Sequence, residues 1–170
     1  MSALKGVGIV SNALMKWLTD EHLAPHITCD LDEEFAFSEE AAEIYWSPWA
    51  MTKEAWETLQ EVLKTLGLTE EINPLIFCFL HEIGHYYTLD DFTDEEHNNY
   101  EDIVNETSQH AKLTREDYLN YYTLDIEIAA TDWAVKYIKA RPASIRALYT
   151  LLAAAFDEFY SINEIEVEDE

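Results

Sequence analysis

The stretch NPLIFCFLHEIGHYY, residues 73–87, decides the reading of this chain. Asn73 is a helix cap, and Pro74 follows at the first helical position, where its missing N–H is not needed. The run Leu75–Leu80 is apolar on every side of the helix, which places the helix in the middle of a core. Its end carries His81, Glu82 and His85, groups that are costly to desolvate without a compensating partner. Histidines four residues apart on a helix are separated by about 40° around the axis. Both rings therefore leave one face and can share a tetrahedral zinc at about 2.0–2.1 Å. Glu82 flanks the pair, close enough to reach a water on the metal without ligating it. Zinc lowers the pKa of such a water toward ~7, and a neighbouring carboxylate accepts the proton. Among only six histidines, a chance H-E-x-x-H match would favour an exposed polar place; this one ends a buried helix.

A catalytic zinc takes a third protein ligand and keeps one position open. Asp91 falls where the metzincin spacing puts its last ligand, although Thr88 stands where that spacing needs a glycine. His97 and His110 lie in the acidic stretch that follows. Glu127 is the strongest candidate. It sits among Leu124, Ile126, Ile128, Ala129 and Ala130, where a carboxylate without a partner is expensive. Counting by threes and fours, its stripe is Asn120, Thr123, Leu124, Ala130, Thr131 and Ala134, small enough to approach a neighbouring helix closely. Asp125 and Asp132 face elsewhere. Tyr121, Tyr122, His110 and Tyr86 are available to stabilise a transition state or donate a proton, and spacing does not choose among them.

HEIGH on a buried helix, followed later by Glu127-x-x-Ala130-x-x-Trp133-Ala134, resembles the gluzincin arrangement. It is most similar to the small ImmA/IrrE-type metallopeptidases, over roughly residues 35–138. The resemblance implies a minimal zincin-like fold and His81, His85 and Glu127 as zinc ligands. It implies Glu82 as catalytic base and an outer strand within 33–46 that pairs with an extended peptide. Members often carry Asn or Asp just after the motif alanine, where this chain has Thr131. No DNA-binding helix-turn-helix accompanies the domain, so repressor cleavage is not assumed.

Composition narrows the partners. The net charge of −25 repels nucleic-acid phosphates and anionic lipid, and favours cationic peptides and divalent metals. With 48% hydrophobic residues in 170, a single globular domain over 1–170 is expected, with an acidic tail at about 163–170. Two cysteines are too few for a disulfide framework, and Cys78 in the apolar run reads as a buried thiol. The first twenty residues lack signal-peptide features, and nothing approaches a transmembrane span, so a cytoplasmic protein is expected.

The expected fold is α+β and mostly helical. A short helix over 11–19 precedes a small antiparallel sheet of two or three strands, drawn from Phe35–Phe37 and Ile44–Trp46. The HEIGH helix is expected to pack this sheet. The helical period of Trp56, Leu59, Val62, Leu63 and Leu66 predicts a further helix stopped at Gly67. Residues 90–106 are dense in acid and lack Lys or Arg; they read as a solvated connection with one poorly packed helix. One long helix from Thr114 to Arg141 and a last one over 143–160 complete the outline.

The first functional expectation is a zinc-dependent peptidase acting on a peptide or protein substrate, with a basic one suiting the charge. The alternatives are a zinc-binding domain without turnover and an acidic, nucleic-acid-mimicking protein that captures a basic partner.

Overall fold

The computed structural model describes residues 5–29, 36–38, 42–46 and 51–163; Phe35 and the tail beyond Asn163 lie outside them. The mostly helical α+β class expected from sequence is the class observed. The chain divides into two compact units, Met1–Pro48 with Arg141–Glu170, and Trp49–Ala140.

In the first unit, helix α1 (Val7–Asp20) packs on the C-terminal helix α7 (Pro142–Asn163) and on strand β1 (His26–Cys29). Strands β2 (Ala36–Ser38) and β3 (Glu43–Trp46) complete a sheet of order β1-β3-β2. β2 pairs antiparallel with β3, as expected of neighbours in sequence, but β1 pairs parallel with it in the register His26↔Glu43. Passing through β2 gives the chain the length that a parallel pair needs, which a tight turn would not. Within this unit the sheet meets α1 through β1 and α7 through Trp46, and the HEIGH helix lies in the other unit. β3 is the central strand, so within 33–46 only β2 is a described edge available for pairing with a peptide. Along β3, Ile44 and Trp46 are buried and Glu43 and Tyr45 half-buried, the period-two alternation of a strand with one face on the core. The Trp46 ring meets Phe156 and Phe159 edge-on at 5.8 and 5.9 Å, and its Nε1 donates to Ser11 Oγ at 2.8 Å. Burying an indole with its N–H satisfied adds area without an orphaned donor.

Among the described residues the second unit holds five α-helices: α2 (Lys53–Thr65), α3 (Pro74–Thr88), α4 (Asp94–Ser108), α5 (Arg115–Tyr122) and α6 (Asp125–Ala140). A 3₁₀ turn, Leu89–Asp91, extends α3. α2 packs on α5, and α3 packs on α6. Thr52 caps α2, its Oγ1 accepting from Ala55 N at 3.2 Å, and Gly67 with φ 89° turns the chain out of the helix as expected. Asn73 Oδ1 accepts from Leu75 N at 2.9 Å, with Pro74 next, so α3 begins where its sequence says. Cys78 is half-buried rather than buried.

One expectation is met here and one changes. The acidic stretch does hold a loosely packed helix, and its start is well defined: in α4, Thr93 Oγ1 takes Glu96 N at 3.2 Å while the Glu96 carboxylate takes Thr93 N at 2.6 Å. Its three acidic residues in the first turn suit the positive end of the helix dipole, although none of its side chains is fully buried. The long helix expected over 114–141 is two helices. Leu124 N bonds Tyr121 O at 3.2 Å, tightening the end of α5, and α6 restarts with Ile128 N on Leu124 O at 2.8 Å. Asn120 and Thr123 are therefore not on the helix that carries Glu127. Among the described residues, no helix is long and apolar enough to cross a membrane.

Candidate metal centre

The site is built where α3 crosses α6, and glycine makes that crossing possible. A Cβ at Gly84 would sit 2.4 Å from the Ala130 carbonyl oxygen and 3.0 Å from its Cα, both backbone atoms that no rotamer change can move. Ala130 and Ala134 are fully buried on the facing helix, so small residues on both sides let the backbones approach. We expect Gly84→Ala to destabilise the protein. Alanine's better helix propensity, ~1 kcal/mol, is outweighed by an overpacking cost of about 1–3 kcal/mol or more. With the upper end of that cost, as suits a clash with backbone atoms, the net loss of about 2 kcal/mol should lower the thermal midpoint by roughly 4–8 °C; an unchanged midpoint would show that the two helices can part freely.

The close crossing brings three donor side chains together. His81 Nε2 lies 2.7 Å from Glu127 Oε2, and His85 Nε2 lies 3.2 Å from Glu127 Oε1. Glu127 is 1% exposed and His81 9%. One ligand atom from each of His81, His85 and Glu127 falls within 4.8 Å of the others, a group able to hold a metal ion. Adjacent donors around a tetrahedral zinc with bonds near 2.05 Å lie about 3.3 Å apart, and two nitrogens plus a carboxylate are a donor set zinc accepts. The residues therefore fit that ion.

Burial alone would raise the Glu127 carboxyl, but His85 and His81 beside it hold it well below the usual carboxylate range. Its place in the first turn of α6 adds the positive end of that helix. His81 Nδ1 lies 3.0 Å from Thr131 Oγ1, itself 1% exposed. The arrangement serves either a proton or a metal. An imidazolium would donate from both nitrogens, whereas a neutral ring with its proton on Nδ1 directs an Nε2 lone pair at a cation against Glu127. Thr131 thus makes the contact to His81 at the position where the resembled family often has Asn or Asp.

Glu82, next to His81 in the chain, is 9% exposed. Tyr100 comes from α4 and was not among the sequence candidates. Its hydroxyl donates a short hydrogen bond to Glu127 Oε1 and lies 3.4 Å from the Tyr121 hydroxyl. Burial first, then the Glu127 charge, raises Tyr100 far above an ordinary phenol, and the same two causes raise Tyr121. Both stay protonated and able to donate.

The other candidates fall elsewhere. Asp91 ends the 3₁₀ turn beyond α3, is exposed, and is not part of the three-residue group. The continued helical winding past His85 carries it off the face that the two rings share. His97 donates Nε2–H to the Leu89 carbonyl at 3.0 Å, tying α4 to the end of α3. His110 pairs with Asp117 at 3.1 Å across the cap of α5, with 49% of its side chain exposed. The Tyr122 ring stacks on Tyr118 at 6.2 Å, and Tyr86 meets Tyr87 edge-on. Asp132 pairs with Lys136 at 2.7 Å on the outside of α6. Of the candidate stabilisers, Tyr121 reaches the metal group through Tyr100. A sequence signal for Tyr100 existed: His97, Tyr100, Val104 and Thr107 are the half-buried stripe of an otherwise acidic helix, at spacings of three and four.

No family model matches this chain, and neither a curated protein nor a solved structure does.

Proposed function

We propose that the chain is a zinc-dependent metallopeptidase with His81, His85 and Glu127 as metal ligands and Glu82 as general base. The observation that carries this reading is the meeting of three donor groups, two imidazoles and a carboxylate, from two separate helices in a buried place, with the buried Glu82 next to His81 in the chain. A zinc ion bound there would acidify a water and polarise a substrate carbonyl. A Glu82 carboxylate oxygen takes the proton from the attacking water and passes it to the leaving amide nitrogen, so that the C–N bond breaks to a free amine. Thr131 keeps the His81 ring in the orientation that presents Nε2. Gly84 keeps α3 and α6 close enough for Glu127 to reach both rings.

A basic substrate is the class the charge supports, at −25 over the chain. Local chemistry supports it too. The Tyr100 ring also lines a recess of about 200 Å³ walled by Phe92, Ile103 and Ile126, with Glu96 and Asp125 among its lining residues. Such a recess suits a side chain with an apolar stem and a cationic end.

Purified protein equilibrated with zinc and then dialysed should retain one zinc per chain and cleave an unfolded basic protein. A strong chelator should abolish the cleavage and added zinc restore it. Absence of retained zinc in elemental analysis sinks the proposal. Retained zinc without cleavage of any unfolded substrate would leave a metal-binding domain that does not hydrolyse.

A further inference from the structure

Glu127 faces three groups at once: His81 at Oε2, and His85 and the Tyr100 hydroxyl at Oε1. Both imidazoles come from α3, but the third contact comes from α4, a helix with no fully buried side chain of its own. The last torsion of a glutamate is broad and roughly two-fold, so packing around the stem does not choose which lone pair the carboxylate presents. A donor fixed on one oxygen does choose. Tyr100 gives its hydroxyl hydrogen to Glu127 and can accept one in turn from Tyr121, 3.4 Å away on α5.

We propose that Tyr100 and Tyr121 form a hydroxyl relay that positions the Glu127 carboxylate for its metal ion, with Tyr121 acting only through Tyr100. The inference rests on the metal-binding part of the proposed function and not on hydrolysis. Both tyrosines are positioning residues. Their hydroxyls order a ligand in advance, so that the metal does not meet the cost of ordering it. Partners that orient a metal ligand in this way are worth about 10- to 100-fold in affinity.

The test is zinc affinity, measured by competition with a chromophoric chelator on wild type, Tyr100→Phe, Tyr121→Phe and the double variant. Circular dichroism establishes that each is folded. Phenylalanine keeps each ring and removes only the hydroxyl. Tyr100→Phe should weaken zinc binding about 10- to 100-fold. Tyr121→Phe should weaken it less, roughly three- to tenfold, the scale of one neutral hydrogen bond. The double variant should bind no more weakly than Tyr100→Phe alone, because a relay loses everything with its terminal member. Additive losses would overturn the relay, since independent packing effects add. Zinc affinity of Tyr100→Phe within twofold of wild type would overturn it as well. Should Tyr100→Phe not fold, Tyr121→Phe decides: unchanged affinity overturns the relay, a loss supports it. Wild-type protein that binds no zinc would overturn relay and proposed function together. Wild-type protein that binds zinc but hydrolyses nothing would leave the relay standing and remove the peptidase.

Discussion

Glu82→Gln will leave zinc bound at one equivalent per chain and remove hydrolysis. The substitution keeps the shape of a side chain that is 9% exposed just past the middle of α3, and takes away only its ability to accept a proton. Glu82 is one residue from His81 and three from His85, so its carboxylate stands beside the shared face of the two rings rather than on it. It is not part of the three-residue group that can hold a metal, which is why the metal should stay. Proton transfer by a positioned base contributes about 10²–10⁴-fold, and turnover should fall by at least that much while zinc content is unchanged. Joint loss of zinc and activity would show that Glu82 is itself a ligand. Full retention of activity would place the base elsewhere.

Glu127→Ala should have the opposite signature, with metal and activity lost together. A structural zinc held by four ligands is worth ~10–16 kcal/mol, so one of them contributes about 3–4 kcal/mol. That corresponds to roughly 10²- to 10³-fold in affinity. Glu127 is the one member of the group contributed by α6, and both imidazoles of α3 address it directly. Without it, two neutral rings remain and no carboxylate offsets the charge of the ion. Titration of the folded variant with zinc gives the result directly. Affinity within tenfold of wild type would mean that the cation is held by some other third ligand.

Gly84 belongs with this pair because it controls distance rather than chemistry. Gly84, one residue from His85, lies close against the Ala130 carbonyl, one turn along α6 from Glu127. Moving the helices apart at that point would draw the carboxylate away from both rings at once. The stability loss expected for Gly84→Ala should therefore be accompanied by weaker metal binding, even though no ligand is altered.

The Asn73 cap, the apolar run after it and the four-residue step between His81 and His85 were all legible in the chain, because each is a local consequence of helix pitch and backbone hydrogen bonding. So was the presence of an expensive carboxylate at Glu127, from the apolar character of its neighbours. The sequence favoured Glu127 over Asp91, His97 and His110 but did not decide among them, since which one meets the two rings depends on which faces of distant segments bury against each other. Tertiary contact decided it through Gly84 and Ala130, whose lack of bulk lets α3 and α6 touch. The same holds for Tyr100, polar company on an acidic helix until the fold turns its hydroxyl onto Glu127. It also holds for the parallel pairing of β1 with β3 and for the break after Tyr122. Periodicity reports which residues want to be buried; only the assembled packing says against what.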